Sequence, residues 1–425
     1  MSPGAGGRLA ARTVPVADPG DLLAALPDPG ALAWVRRGAG LVAWGQAARI
    51  TLPAGEDRFT AAGKWLHDLF DGAETDDQVR RPGTGLVAFG SFTFDPASEG
   101  SVLVVPSVVL GRSPGGRSWL TTISGGSAVS ASGSPPAGCG SGALPPSPAE
   151  PAPPAGLRWH DGSMSAPQWE QAVAAAVERI RSGGLRKVVL ARDLYATATD
   201  PIDARVPLRR LAARYPDCFT FACDRLIGAT PELLVRRRGR EVSALILAGT
   251  APRGARAAED ARLGAGLLAS AKNTEEHAYA VASVREALGP LCGTLDIAPR
   301  PSLLKLANVH HLGTRVRGRL RAGRSALDLA AALHPTAAVC GTPAEAAMDL
   351  IRELETMERG RYAGPVGWVD ARGNGEWGIA LRCAELDGRR ARLFAGCGIV
   401  ADSDPPAELA ETQVKFDPVR HALEG

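Results

Sequence analysis

The stretch VGWVDARGNGEWGIALRCAELDGRRARLFAGCGIV, residues 366–400, contains three apolar runs separated by RGNG and DGRR. Val, Ile, Trp and Phe favour strands, and polar tetrads that contain glycine favour the turns between strands. The stretch therefore predicts a meander of long strands. Immediately downstream, Pro405 suits the first turn of a helix, which predicts a last helix that carries Glu408 and Glu411.

Helices are predicted at several places upstream of this meander. Residues 258–292 are rich in Ala, Leu and Glu with helical apolar spacing, which predicts helices with a break near Ser270. Thr342 and Glu345 fit a capping box, in which a hydroxyl and a carboxylate each accept from a free backbone amide at a helix start. Ser165 precedes another amphipathic run and predicts a further helix start.

The chain divides into three parts by composition. Residues 1–124 show short β-rich runs punctuated by Gly and Pro, which predicts an N-terminal part made of sheet. Residues 125–156 consist largely of Ser, Gly, Pro and Ala and bury too little apolar surface to order, so we expect a flexible loop. Residues 157–425 mix helices and strands and carry the candidate catalytic residues. The expected fold class is α/β (α+β).

Composition excludes several classes of function. The 425 residues include 48 basic and 45 acidic side chains, for a formal charge of +3 with the signs interspersed, so nucleic acid is not an expected partner. The seven cysteines form no CxxC pair, so we expect reduced, mostly buried thiols in a cytoplasmic protein. The N-terminal residues lack the apolar stretch of a secretory signal, and no apolar run approaches roughly 20 residues. We therefore expect no membrane partner.

Two side chains are candidates for proton transfer. Lys187 begins the otherwise apolar strand KVVLARDLYATA, and a lysine among buried neighbours loses its proton more readily than a free one. Glu232 follows proline in IGATPELLV, and a carboxyl beside apolar groups keeps its proton and can act as a general acid. Taken alone, each has a simpler interpretation: a strand-end lysine that reaches solvent, or an acidic turn residue.

Two acidic pairs suggest a cation site. Glu408 and Glu411 lie three residues apart on the predicted last helix and share a face, with roughly 5–6 Å between their Cβ atoms. Asn273 and Glu276 repeat this spacing at the start of another helix. These four side chains could hold Mg²⁺, which prefers a few carboxylates together with waters and substrate oxygens. The alternative is two solvated helix faces.

Candidate anion-binding groups lie close to the acidic pairs in sequence. Gly396 and Gly398 follow a buried strand, where missing side chains let backbone amides approach an anion. Arg382 lies on the neighbouring predicted strand and Lys415 one turn beyond Glu411, so together they offer two cations for carboxylates. Glycines after strands also commonly make simple bends.

Other common chemistries lack support. His334, His310 and His311 have no ligand-like spacing, so zinc is disfavoured, and His334 is expected to form a structural hydrogen bond rather than to shuttle protons. The chain has no Walker loop, no GxSxG elbow and no dinucleotide fingerprint.

Nine motifs in chain order resemble the chorismate-utilising enzyme family, which includes isochorismate synthases, salicylate synthases and the large subunits of anthranilate and aminodeoxychorismate synthases. The motifs are KVVLAR, GATPELL, LAGTAPRG, EEH, HPTAAVCGTP, YAGPVGW, LRCAEL, AGCGIV and ELAET with Lys415. They cover about residues 160–420. The resemblance implies one α/β domain with two packed sheets inside and helices outside, chorismate as substrate and Mg²⁺ as cofactor.

The resemblance also implies roles for individual residues. Lys187 would activate a water at C2 of chorismate, and Glu232 would protonate the departing C4 hydroxyl. Glu276 and Glu411 would bind the metal, and Glu408 would arrange waters. Contacts to the substrate are implied for the remaining matched positions, which are Ala248, Gly249, Thr250, His334, Tyr362, Arg382, Gly396, Gly398 and Lys415.

The nucleophile follows from two positions within the resemblance. The aminodeoxychorismate branch has a lysine where this chain has Ala248, and the anthranilate branch lacks a lysine at the position of Lys187. Water is therefore the expected nucleophile, with isochorismate as product, no glutaminase subunit and a monomeric enzyme. Salicylate synthase, which also expels pyruvate, remains an alternative, as do a non-catalytic relative and an amidotransferase subunit. The destination of the product, menaquinone, a catecholate siderophore or another aryl compound, is left open.

One position departs from the family pattern. Asn273 stands where the family usually has an aspartate, three residues before Glu276. Asparagine keeps an oxygen but lacks the charge, so we expect weaker magnesium binding rather than lost activity.

Overall fold

The fold is described from a computed structural model that covers residues 8–125, 149–306, 309–321 and 323–425. Most of the predicted flexible loop lies outside these described residues. Within them the chain forms two large sheets and eight α-helices. The helices are α1 (Arg58–Phe70), α2 (Ala166–Arg181), α3 (Arg205–Arg214), α4 (Ala257–Ala269), α5 (Ala271–Leu288), α6 (Ala326–Leu333), α7 (Ala344–Leu354) and α8 (Pro405–Glu424), with a short 3-10 helix at Leu22–Ala25.

The first sheet has 13 strands among the described residues, in the order β10-β11-β23-β22-β13-β12-β2-β3-β8-β9-β1-β5 with β19 beside β11. Its strands are β1 (Ala10–Val16), β2 (Leu32–Arg36), β3 (Ala39–Trp44), β5 (Glu74–Asp77), β8 (Val108–Arg112), β9 (Ser118–Ser124), β10 (Arg158–Asp161), β11 (Lys187–Thr197), β12 (Phe219–Cys223), β13 (Leu226–Thr230), β19 (Gly341–Thr342), β22 (Cys383–Asp387) and β23 (Arg390–Ile399).

The second sheet has ten described strands, in the order β16-β18-β15-β14-β21-β20-β6-β7-β4 with β17 beside β18. Its strands are β4 (Ala48–Leu52), β6 (Val87–Ser91), β7 (Ser101–Val105), β14 (Leu233–Arg238), β15 (Glu241–Pro252), β16 (Cys292–Ile297), β17 (Ser302–Lys305), β18 (Val309–Leu320), β20 (Pro365–Asp370) and β21 (Gly375–Ile379).

The two sheets pack face to face around one large apolar core, with helices on the outside. Core side chains come from both sheets, as Trp34 of β2 and Trp377 of β21 illustrate. The indole of Trp34 also donates a hydrogen bond to Glu376 of the second sheet, at 2.9 Å. The N-terminal part pairs directly with the rest, since β2 is hydrogen-bonded to β12 and β6 to β20. The predicted fold class and its two-sheet architecture are confirmed.

The chain passes from one sheet to the other at two short crossovers that position the site. Pro231 and Glu232 connect β13 of the first sheet to β14 of the second. Residues 380–382 make the return passage from β21 to β22, and Arg382 adopts a positive φ of 49° there. The prediction that the three apolar runs form one meander is therefore wrong. The run EWGIALRCAEL breaks at Arg382 into strands of two different sheets, because the backbone turns there although the sequence is apolar on both sides.

Helix starts were predicted with mixed success. Ser165 caps α2 in a capping box with Gln168, Ser270 caps α5, and the last helix begins at Pro405 as expected. The capping box at Thr342 is wrong. Thr342 belongs to β19, paired with Lys187, so its backbone is in a sheet and Pro343 occupies the cap position without a side-chain hydrogen bond.

The state of the cysteines and the character of the helices can be compared with the expectations from composition. Six cysteines, at positions 218, 223, 292, 340, 383 and 397, are buried and unpaired, whereas Cys139 lies outside the described residues. Among the residues that the structure covers, no helix is both long enough and apolar enough to cross a membrane.

Candidate active site

A cavity of about 210 Å³ lies where the two crossovers meet β15, β23, α5 and α8. It gathers most of the predicted site residues, although they come from distant parts of the sequence. Those that line it are Glu232, Ala248, Gly249, Thr250, Asn273, Glu276, Tyr362, Arg382, Gly396, Gly398, Glu408, Glu411 and Lys415.

Lys187 does not itself line this cavity but contacts two residues that do, Glu276 and Gly398, and it is almost completely enclosed, with 1% of its surface exposed. It begins β11, and pairing of its backbone with Thr342 of β19 fixes that strand end. Its Nζ forms an ion pair with Glu276 Oε1 at 2.8 Å. The simpler interpretation of a solvent-reaching lysine is therefore wrong, because the ammonium is held inside the protein by a carboxylate from α5.

Gly398 makes room for this ion pair. It lies opposite Val189 in the β11–β23 ladder, directly beside Lys187. A Cβ at Gly398 would lie 2.8 Å from Glu276 Oε1 and 2.9 Å from Lys187 Cε, closer than real side chains pack. A side chain here would push the lysine and the glutamate apart, so the glycine has a specific role beyond making a bend.

Glu232 occupies the β13–β14 crossover with only 6% of its surface exposed. Its backbone amide donates to Thr230 Oγ1 at 3.2 Å, which fixes the turn. Burial raises the pKa of Glu232 to about 8, although the positive charges of Lys187 and Arg382 oppose the shift. The carboxyl therefore carries a proton at neutral pH, as an acid catalyst must.

Arg382 contributes a half-buried guanidinium from the return crossover. Burial lowers its pKa from the usual very high value, while Tyr362, Glu411 and Glu232 lie near enough to favour the charge. Tyr362 stacks on Phe394 of β23, with ring centroids 5.1 Å apart. A half-buried cation next to an aromatic side chain suits a planar anionic ligand.

Helix α8 brings two carboxylates and a lysine to the cavity. Lys415 Nζ donates to the Gly396 carbonyl at 2.8 Å and forms an ion pair with Glu411 Oε1 at 2.5 Å. Burial acts against ionisation of Glu411, but Lys415 outweighs it and lowers the pKa of that carboxyl. Glu408 Oε1 accepts a hydrogen bond from Ser403 Oγ at 2.7 Å.

A bulge in β15 supplies the backbone at the floor of the cavity. Its pairing with β18 shifts register between Ala248 and Thr250, and Gly249 between them has a φ of 81°. The Ala248 carbonyl lies 3.2 Å from His277 Nδ1 of α5. Since a Cβ at Gly249 would lie 3.1 Å from Asn273 Oδ1, the glycine lets β15 approach the start of α5 closely.

Asn273 retains an oxygen that faces this bulge. Its Nδ2 donates to Ser270 Oγ at 2.8 Å, which leaves Oδ1 as the group turned toward Gly249. The side chain is therefore oriented by the N-cap of its own helix.

His334 is the one predicted substrate contact that the structure places elsewhere. Its Nε2 lies 2.9 Å from the Phe94 carbonyl, and its ring meets Phe94 edge-on. It does not line the cavity, so the expected substrate contact is corrected to the structural hydrogen bond that its sequence context had also suggested.

Several residues of the cavity were not found from the sequence. His311 lines it with Nδ1 near Gly249 O and Thr250 Oγ1, and burial lowers its pKa to about 3, so the ring is neutral. Arg359 also lines it and is held by Glu355. The sequence around His311 gave no local sign of a binding site. His311 reaches the cavity because β18, which carries it, pairs with the bulged strand β15.

The oxygen donors of the cavity can be compared with the ligands that a magnesium ion prefers. Glu276, Glu408, Glu411 and Asn273 present oxygens only, the atoms that a hard cation prefers. Within the described ranges no group of three or more His, Cys, Asp or Glu side chains is already arranged around a common point. Because Mg²⁺ usually takes one or two carboxylates and completes its shell with water and substrate, the residues present fit this ion by their chemistry.

The chain is similar to known proteins over most of its length. A family model described as chorismate binding enzyme matches residues 13–424. The isochorismate synthase DhbC of Bacillus subtilis is 42% identical over 282 residues, which cover 63% of this chain and 71% of that protein. A salicylate biosynthesis isochorismate synthase of Pseudomonas aeruginosa is 45% identical over 64% of this chain and 58% of its own length. The solved structure of MenF, a menaquinone-specific isochorismate synthase of Escherichia coli, superposes with a TM-score of 0.79 at 25% identity, over 98% of this chain and 96% of that one.

Proposed function

We infer that this chain, which belongs to the chorismate binding enzyme family, converts chorismate to isochorismate. The observation that carries the inference is the pairing of a buried lysine with a buried, protonated glutamate at one cavity. Glu232, with its pKa raised to about 8, is a proton donor, and Lys187 is fixed beside it by Glu276. An exchange of hydroxyl groups needs one group that accepts a proton and one that gives a proton.

The proposed reaction uses these two groups in one displacement. In its neutral amine form, after the ammonium has released one proton, Lys187 takes a proton from a water whose oxygen bonds to C2 of the ring. The two ring double bonds each shift by one position, and the C4–oxygen bond breaks. Glu232 gives its proton to the departing hydroxyl, which leaves as water. Each proton transfer contributes about 10²–10⁴ in rate.

The remaining residues bind and orient the substrate in this proposal. Arg382 and Lys415 pair with its carboxylates, and the neutral His311 offers Nε2 as an acceptor. Ala248 carries no nucleophile, so the position offers no covalent route. The lining of the cavity is mostly polar, and a water bound beside Lys187 would be the nucleophile.

Magnesium forms part of the same proposal. Glu276, Glu408, Glu411 and Asn273 would hold it, since they are the oxygen donors of the cavity. When bound, the ion would neutralise the ring carboxylate of the substrate and draw electron density toward it. The carboxylates that now face lysines would then be shared with the metal.

Incubation of the purified protein with chorismate and magnesium tests the proposal. Chromatography should show isochorismate without pyruvate, and both EDTA and Lys187→Ala should abolish it. Salicylate with an equal amount of pyruvate would instead assign the chain to the salicylate synthases. Product that forms only with ammonia would make it an amidotransferase subunit, and chorismate binding without turnover would indicate a non-catalytic relative.

A further inference from the structure

Two short segments depart from the even mixture of charges in the rest of the chain. Residues 315–324, RVRGRLRAGR, contain five arginines and no acidic residue. Residues 68–77, DLFDGAETDD, contain five acidic residues and no basic one. The segments lie on different sheets, at β18 and at β5 with the end of α1, so they do not neutralise each other within one molecule.

The arginines lie on a sheet face that no helix or strand among the described residues covers. On β18, Thr314 faces α5 through its hydrogen bond to His277, and Val316 and Leu320 are buried on that side. Arg315, Arg317 and Arg319 alternate with them and point to the other face. Toward β14 this face borders a groove of about 610 Å³.

We call this surface the arginine face and define it by Arg236, Arg238, Arg315, Arg317 and Arg319. Arg236 and Arg238 pair with Glu376 at 2.7 and 3.3 Å. In the part of the chain that the structure covers, the side chains of the three arginines of β18 form no ion pair or hydrogen bond, and all three are exposed. Three unpaired cations at alternate strand positions repel one another and favour an anionic partner.

The acidic segment, residues 68–77, has the complementary character. Asp68 and Asp71 lie at the C-terminal end of α1, where the helix dipole disfavours negative charge. Glu74 and Asp76 continue on β5, the edge strand of the first sheet. Asp68, Asp71 and Glu74 have no ion-pair partner among the described residues, and Asp76 meets Arg12 at 3.6 Å with both side chains exposed.

We propose that the arginine face binds the acidic segment of a second copy of this chain. Alternate residues of a strand recur about every 6.6–6.8 Å, so Glu74 and Asp76 repeat with the spacing of Arg317 and Arg319. Arg12 beside Asp76 also supplies a cation for the two acids of the groove, Glu241 and Asp296. A nucleic acid has no such counterpart, and those two carboxylates would repel its phosphates.

The contact joins two different surfaces, so it is head-to-tail and generates a ring or an open chain of molecules. Because the side chains involved are exposed, the association is weak and depends strongly on salt. It departs from the monomer expected from the sequence.

Sedimentation velocity tests the proposal at about 0.01 M and about 0.15 M salt, where the Debye length is about 30 Å and about 8 Å. The wild type should associate with rising concentration at the lower salt and dissociate at the higher. The variant R315E/R317E/R319E should stay monomeric, as should D68K/D71K/E74K. The control R256E/R262E/R285E changes the net charge equally at exposed arginines of the α4–α5 region and should associate like the wild type.

Mixing the two reversed variants gives the decisive result. Each alone carries two surfaces of like charge, but together they restore both oppositely charged contacts, so association should reappear in the mixture. Chorismate turnover of every variant checks that it is folded. A wild type that stays monomeric at low salt overturns the proposal, and so does binding of an RNA oligonucleotide to the arginine face without self-association.

Discussion

Two glutamates that line the same cavity have opposite acid–base behaviour. Glu232 sits in the β13–β14 crossover without a direct ion pair, and burial raises its pKa to about 8. Glu411 lies on α8 with Lys415 Nζ 2.5 Å away, and its pKa is lowered despite burial. Glu232 is therefore protonated at neutral pH, whereas Glu411 is ionised. The difference shows that a cation at contact distance, together with the 36% exposure of the Glu411 side chain, favours the ionised ligand over the protonated acid.

Removing the proton donor, Glu232, should have the largest effect on kcat. Glu232→Gln keeps the shape but cannot release a proton, so kcat should fall about 10²–10⁴-fold while chorismate binding changes little. The free energy of unfolding at pH 8 should rise, on the order of 1–3 kcal/mol, because the fold no longer raises the pKa of a buried acid. Steady-state kinetics and denaturant unfolding measure the two effects.

The control for this change is Glu178→Gln on the exposed side of α2, which should alter neither quantity. A Glu232→Gln enzyme with nearly normal kcat would show that another group supplies the proton.

Removing the cation beside Glu411 should make the two glutamates more alike. In Lys415→Met, Glu411 loses the charge that lowers its pKa, and a substrate carboxylate loses a charge-assisted hydrogen bond worth about 1.5–3 kcal/mol. KM for chorismate should rise about 10–100-fold, with a smaller change in kcat. Lys64→Met, at an exposed lysine of α1, is the matched control. An unchanged KM would exclude Lys415 from substrate binding.

The pH profile separates the two glutamates without mutation. Glu232 is active when protonated, and its folded-state pKa is raised to about 8, so kcat should fall about tenfold per unit above that pH. Glu411, with a lowered pKa, should stay ionised across the same range. In Glu232→Gln the residual activity should lose this alkaline limb. A limb that persists in the variant would belong to a different group.

The sequence predicted the chemistry of the cavity better than its construction. Lys187, Glu232 and Glu411 were recognisable because the motifs that carry them resemble those of a known family, whereas their local sequence context alone allowed simpler interpretations. The turn at Arg382 was not, since the apolar run around it continues through the crossover and nothing local marks a positive φ. His311 was missed for a related reason: its position depends on the pairing of β18 with a bulged β15, which is a long-range property.

A change of charge at Asn273 should alter the affinity for magnesium. Asn273→Asp adds a carboxylate next to Glu276, so magnesium affinity should increase a few-fold to about tenfold, while kcat at saturating magnesium stays nearly constant. Calorimetric titration with magnesium, in the absence of substrate, measures the affinity directly. Gln171→Glu, on the exposed side of α2, provides a control for an added charge away from the cavity. Equal affinity of variant and wild type would show that Asn273 does not contact the ion.

The smallest effect on turnover is expected at His334, which lies outside the cavity that holds both glutamates. His334→Gln should leave kcat within about twofold but lower the free energy of unfolding by about 1 kcal/mol, since the hydrogen bond to the Phe94 carbonyl is lost or weakened. Burial lowers the pKa of His334 to about 4, so the unfolded chain binds the proton more tightly than the fold between about pH 4 and 6.5. The wild type therefore loses stability as pH falls through that window, and the variant should lose less. Unfolding curves across this range, measured with the kinetics, test the assignment: a tenfold loss of kcat without a loss of stability would return His334 to the substrate.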